Sequence, residues 1–254
     1  MTFITRFIAA ACIAILAFAL PQATRADDVP QREAIEKIVH DYLIAHPEVL
    51  QEAMTELEKR QQVAEAAKHK AAVKQYSEAL FNSPDQVTLG NAKGNVTFVE
   101  FFDYNCGYCK RAMTDMLTLL KEDSNLKVVL KEFPVLGQGS VEAARVAVAV
   151  RMQDKTSKKY LEFHQKLLGG RGQADNARAL AVAKDIGLDM DRLQKDMKSP
   201  EVEKTLQQDM KLAEALGLNG TPSYVIGDNV VVGAIGLKGL QESINTARCG
   251  KATC

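Results

Sequence analysis

The sequence predicts an α/β protein in which a mixed sheet is interrupted by a helical insertion and preceded by a long helical segment. Three observations carry that prediction. An alternating apolar run from Val96 to Asn105 leads straight into Cys106-Gly107-Tyr108-Cys109, and Lys110 to Lys121 after it has a helical pattern. The other strand-like runs lie on either side of a block, Ser140 to Leu216, that is almost wholly helical in pattern. Upstream, from Arg32, apolar residues recur at helical spacing rather than alternating.

In chain order, Met1 to Arg6 carry one Arg and no acid, Phe7 to Leu20 are apolar, and Pro21 to Ala26 form a small-residue exit. These features mark a signal peptide over residues 1–26, with Cys12 inside it and cleaved away with it. The apolar stretch is shorter than the ~20 residues a membrane span needs, and no other run is apolar and long enough. The exported protein is therefore expected in the periplasm, where disulfides persist.

Residues 27–82 read as an N-terminal helical segment. Ile35, Ile38, Val39, Tyr42 and Leu43 share one helical face, and Ala45-His46-Pro47 interrupts it. A second helix runs from Pro47 to about Phe81, with Leu50, Met54 and Leu57 as its apolar edge and mostly alanines beyond Gln61. At 1.5 Å per residue it would be roughly 50 Å long. Either it forms a hairpin packed on its own domain, or it is an oligomerisation stalk joining a homodimer or homotrimer. The concentrated stripe before Gln61 favours the stalk.

Asn82-Ser83-Pro84-Asp85 punctuates the boundary of a second domain, residues 83–248. A strand over Gln86 to Leu89, a turn over Asn91 to Gly94, the main strand and its helix come first. Leu126 to Phe133 forms a further strand, ended by Pro134. The helical insertion, about 140–216, is broken at Gly169-Gly170-Arg171-Gly172, at Gly187 and at Ser199-Pro200, where Ser199 is expected to cap and Pro200 to open a helix. Tyr224 to Ile226 and Val230 to Gly233 form a hairpin, and Leu237 to Ala247 a last helix. The order β-β-α-β, helical block, β-β-α is that of a thioredoxin fold with a helical insertion.

The chemistry sits at the strand–helix junction. There Cys106 occupies a helix N-terminus, where unpaired amides and the macrodipole favour its thiolate. A thiolate beside a second thiol is the minimum for thiol–disulfide exchange. A zinc site using Cys249 and Cys254 as the other half is the competing reading, but that pair is loosely spaced and lies at the extreme C-terminus, in a tail over residues 249–254. Lys110 stands where c-type haem attachment needs His. Gly220-Thr221-Pro222 opens the hairpin. In a thioredoxin fold this proline is expected to be cis, setting the Thr221 backbone beside the cysteines for β-type pairing with an extended substrate, its hydroxyl within reach of a sulfur.

Taken together, these residues resemble the DsbA family of thiol:disulfide oxidoreductases, over about Val87 to Ala247. The resemblance implies that Cys106 is the nucleophile, Cys109 the resolving cysteine, Pro222 the cis-proline and Thr221 the residue before it. It also implies that Glu100 is a buried acid beneath the site that shuttles the Cys109 proton; on a strand it could instead be a half-exposed edge acid, but its neighbours Val99 and Phe101 point to burial. The Asp41–Leu50 and Lys131–Gly137 stretches are similar to the ScsC/Com1 branch, whose N-terminal helical segment makes dimers or trimers in some members. Gly107 and Tyr108 between the cysteines, and Thr221 before the proline, depart from monomeric DsbA and are similar to the isomerase DsbC. They lean the expectation toward isomerase or reductase; the alternatives are a primary dithiol oxidase and a non-catalytic exported binding module that presents a thioredoxin-like surface to a partner.

Cys249 and Cys254 are expected to close a small structural disulfide. After removal of Arg6 and Arg25 the chain has 30 basic and 32 acidic residues, with no basic block for nucleic acid. The four histidines are scattered, so neither metal nor other cofactor is expected. The expected partners are unfolded or wrongly disulfide-bonded exported proteins and a membrane redox partner.

Overall fold

The computed structural model describes residues 29–154 and 156–254, so the expected signal peptide and Cys12 lie outside the described residues. Two compact units are distinguished, one ending at Leu57 and one running from Glu58 to Cys254.

In the first unit, helix α1 (Val29–Ala45) precedes α2 (Pro47–Gln75), which continues across the unit boundary. Between them the His46 amide donates to the Tyr42 carbonyl, and the Tyr42 and His46 rings lie 4.6 Å apart. Ile35, Ile38, Val39, Tyr42, Leu50, Met54 and Leu57 are all exposed. Alanine, glutamate and lysine dominate the rest of α2, residues that propagate a helix without needing to bury it.

The second unit begins with the C-terminal part of α2. The long helix expected to reach Phe81 breaks at Tyr76, which takes a non-helical conformation before α3 (Ser77–Phe81). Val73 and Leu80, on either side of the break, bury in the same core.

The sheet, in the order β1-β3-β2-β4-β5, is built from β1 (Val87–Gly90), β2 (Val96–Phe102), β3 (Leu126–Glu132), β4 (Ser223–Ile226) and β5 (Asn229–Val232). Central β2 pairs in parallel with β3 and antiparallel with β4. Its side chains alternate. Val96, Phe98 and Phe102 face one core, with α4 (Gly107–Glu122), α10 (Gly236–Cys249) and the insertion; Val99 and Phe101 face the other. Both faces being covered explains a run apolar almost throughout. Glu100 is the exception, sharing its face with Phe98 and Phe102 and so pointing under α4.

The insertion is α5 (Gln138–Gln153), α6 (Lys158–Gly169), α7 (Asn176–Asp185), α8 (Met190–Asp196) and α9 (Pro200–Ala215). Pro200 opens α9 as expected, but the expected Ser199 cap does not form. Its hydroxyl turns toward Met152 Sδ, 3.8 Å away, and proline already removes one of the amides a cap would satisfy. Cys249 and Cys254 are joined by a disulfide with Cα atoms 6.3 Å apart. Among the described residues no helix is long and apolar enough to cross a membrane.

Candidate active site

β2 ends at Phe102, and four residues turn the chain into α4. Asp103 builds that turn. Its carboxylate accepts from the Asn105 amide at 2.7 Å, the Ser140 hydroxyl at 2.7 Å and the Leu136 amide at 2.9 Å. Its carbonyl accepts from the Cys106 amide at 3.1 Å. Asn105 ties the turn to the insertion, donating to the Ala174 carbonyl at 2.8 Å and accepting from the Ala174 amide at 2.7 Å. Neither residue was singled out from the sequence. The signal present was the Asp-x-Asn turn chemistry; the partners lie far along the chain.

Cys106 is the N-cap of α4, and its sulfur accepts from the Cys109 amide at 3.2 Å, the place a serine or aspartate oxygen usually fills. The sulfur also lies 3.2 Å from the Thr221 carbonyl oxygen. The peptide bond between Thr221 and Pro222 is cis. Hydrogen bonding from the Cys109 thiol, helped by the Thr221 side chain and the Cys109 and Tyr108 amides, outweighs burial and lowers the Cys106 pKa from 9.0 to about 6. Cys109, one helical turn on, is fully buried. Burial first, then its hydrogen bond with Cys106, holds its thiol protonated well above the ordinary range.

Glu100 is buried beneath this pair. Burial, with smaller contributions from Cys106 and Asp115, raises its pKa from 4.5 to about 8. Burial thus keeps the carboxyl protonated well above the range in which an ordinary Glu ionises. The structure thus brings Cys106, Cys109, Thr221 and Pro222 together with Glu100 below them. Gly107 is open to solvent on its Cβ side, while Tyr108 is exposed with the Arg111 guanidinium 4.4 Å above its ring.

A polar chain runs behind the turn that the sequence did not reveal. The Tyr160 hydroxyl donates to Glu132 at 2.8 Å and lies 3.4 Å from the Tyr104 hydroxyl, which is 3.4 Å from His164 Nδ1. Burial lowers the His164 pKa to about 3, so the ring stays neutral. On the opposite face of the sheet, buried Lys131 pairs with Asp209 at 3.3 Å.

Residues 97–245 match the family described as the DSBA-like thioredoxin domain, and residues 31–64 match the copper resistance protein ScsC N-terminal domain. A thioredoxin-like oxidoreductase from Silicibacter pomeroyi DSS-3 is 46% identical, with a TM-score of 0.64 over 67% of this chain and 96% of that one. Proteus mirabilis ScsC in a transitional conformation is 26% identical, with a TM-score of 0.64 over 87% of this chain and 99% of that one. The probable disulfide bond formation protein D of Bacillus cereus is 24% identical over 162 residues, covering 59% of this chain and 74% of the relative. The chain also matches a Na(+)/H(+) antiporter NhaA 1 of Salinispora arenicola, 24% identical over 161 residues, but spans only 24% of its length.

Proposed function

The chain belongs to the family of DSBA-like thioredoxin domains, and on that premise we propose that it is an exported thiol:disulfide interchange protein leaning to disulfide isomerisation and reduction. The observation that carries the reading is the contrast of two sulfurs one helical turn apart, one drawn toward its thiolate and the other buried and protonated.

The chemistry follows from that contrast. The Cys106 thiolate attacks one sulfur of a substrate disulfide; the substrate S–S bond breaks, one substrate thiolate leaves, and a mixed disulfide to Cys106 forms. Cys109 then gives its proton to the Glu100 carboxylate and attacks the Cys106 sulfur. The second substrate thiolate leaves, and the substrate has gained the electron pair that the cysteine pair has lost. In isomerisation the freed substrate thiolate attacks the mixed disulfide instead and restores Cys106 with no net redox change. Thr221 and Pro222 line the edge where an extended substrate pairs its backbone, and Gly107 and Tyr108 form the exposed rim.

Tyr108 brings no positive charge to Cys106, which favours a milder oxidant than a histidine would give. The alternative is a primary dithiol oxidase. Insulin reduction beside refolding of scrambled ribonuclease separates the two. Rescue of scrambled substrate is expected; insulin reduction without any rescue would remove the isomerase reading.

The layout that goes with this function is a signal peptide over residues 1–26, a helical oligomerisation segment over 27–82, the catalytic domain over 83–248 and a disulfide-closed tail over 249–254. Exposed Ile35, Ile38, Leu50, Met54 and Leu57 are the apolar surface a homodimer or homotrimer would cover. Light scattering on the mature chain is expected to give two or three subunits, and on a Leu50→Glu, Leu57→Glu variant one. A monomeric mature chain would remove the stalk. Unfolded exported proteins and a membrane redox partner are the partners this reading requires.

A further inference from the structure

The insertion side of the site carries charges that the exchange chemistry does not use. Lys110 and Arg111 lie in the first turns of α4, directly after Cys109, and both are exposed. Arg171 is exposed in the loop joining α6 to α7. That loop is fastened to the catalytic turn at both ends. Lys110 Nζ donates to the Gly170 carbonyl at 3.0 Å, and Asn105, the residue before Cys106, holds Ala174 by its amide and its carbonyl. Arg178 in α7 completes the group. Its guanidinium packs so closely on Gly170 that a Cβ there would overlap it, so the glycine is what lets the cation sit against the loop.

The three arginines of this group differ from the other arginines of residues 83–248, which are ion-paired, Arg192 with Asp196 among them. Arg151 pairs with Glu201, Arg145 with Glu203 and Arg248 with Asp123. Lys110, Arg111, Arg171 and Arg178 take part in none of the ion pairs found among the described residues. Nearby carboxylates have other partners: Asp175 accepts from the Arg178 amide, and Glu142 from the Asn176 amide and the Gln138 side chain. Arg111 is held over Tyr108, which limits the side-chain entropy it would lose on gripping a ligand.

We propose that Lys110, Arg111, Arg171 and Arg178 form a docking rim for acidic segments of protein substrates, gripping carboxylates close to the cysteine that Cys106 attacks. The proposal rests on the exchange reading given above and adds to it a preference among substrates. Charges at an exposed rim act mainly on encounter and on ground-state binding, and they are screened by salt.

The test uses full-length reduced protein and disulfide peptides of equal length whose residues flanking the cysteine are Glu, Gln or Lys, with hydroxyethyl disulfide as an uncharged small probe. Reaction with Cys106 is followed at low salt and at about 0.5 M NaCl, where screening is nearly complete. The Glu peptide is expected to react about tenfold more efficiently than the Lys peptide, through KM rather than kcat, with Gln between. Salt should collapse the series. Arg111→Gln with Arg171→Gln should flatten it, and Arg111→Lys with Arg171→Lys should restore most of it.

Equal rates for the three peptides, a preference for Lys, or a series indifferent to salt would overturn the docking rim. If hydroxyethyl disulfide reacts while the peptides do not differ, the rim alone is lost. If neither it nor any peptide reacts, the exchange reading falls as well. Should the substituted proteins fail to fold, the salt series on the unaltered protein decides.

Discussion

Cys106 and Cys109 lie where a central strand feeds a helix, buried and both free thiols, whereas Cys249 and Cys254 sit exposed at the C-terminal end of the last helix and are bonded to each other. Spacing does not account for the difference, because both pairs are close enough to close a small ring. Surroundings do. Cys106 receives the Cys109 amide and thiol and has Thr221 against it; Cys109 is sealed beneath with Glu100 near. The tail pair meets only local backbone, the Lys251 and Asn245 carbonyls. A cysteine pair becomes a redox centre when the fold makes its two sulfurs unequal, and the tail offers nothing that would do so.

The sharpest way to break that comparison is to remove one sulfur from each pair. Cys106→Ser should lower insulin reduction by roughly a thousandfold or more, since it removes the thiolate that attacks. Cys254→Ser should leave the rate within about twofold, because its pair lies outside the exchange pathway. Comparable losses from both would erase the distinction. Cys109→Ser should instead trap substrate on Cys106 as a mixed disulfide, seen as added mass on non-reducing analysis; rapid release would mean that Cys109 does not resolve.

Glu100 gives a pH-resolved test. Its folded pKa of about 8 lies above its ordinary 4.5, so the folded state holds a proton that the unfolded state releases. The destabilisation this causes is absent below pH 4.5, grows as pH rises and is complete above about pH 8. Glu100→Gln should therefore stabilise the reduced protein by about 2–4 kcal/mol at about pH 8 and hardly at all at about pH 4 in denaturant unfolding, while slowing resolution by Cys109. Equal stabilisation at both pH values would place the carboxyl outside this role.

The smallest expected effect comes from the tail. Reducing or deleting the Cys249–Cys254 bridge frees a loop of about six residues, and chain entropy limits the loss to about 2 kcal/mol. A larger drop in thermal stability would mean that the tail braces α10.

Much of this was legible in the sequence because it is local. The alternation of β2 continuing into Cys106 and Cys109 announces the junction, and Glu100 lies an even number of residues from Phe98 and Phe102, so its face follows from period two. What was not legible depends on residues far apart. The break at Tyr76 falls where Val73 and Leu80 enter a core formed with α9, while the sequence there continues to read as helix. The roles of Asp103 and Asn105 emerge only when Ser140 and Ala174 arrive beside them. His164 looked like one of four scattered histidines until the fold set it against Phe102 and Tyr104.

The inequality of Cys106 and Cys109 is best tested by alkylating the reduced, folded protein with iodoacetamide across pH and locating the label on each cysteine by mass spectrometry. Labelling of Cys106 should rise with a midpoint near pH 6, while Cys109 stays unlabelled until the protein is unfolded. Labelling of both thiols together, with a midpoint near the ordinary value of 9, would contradict the account.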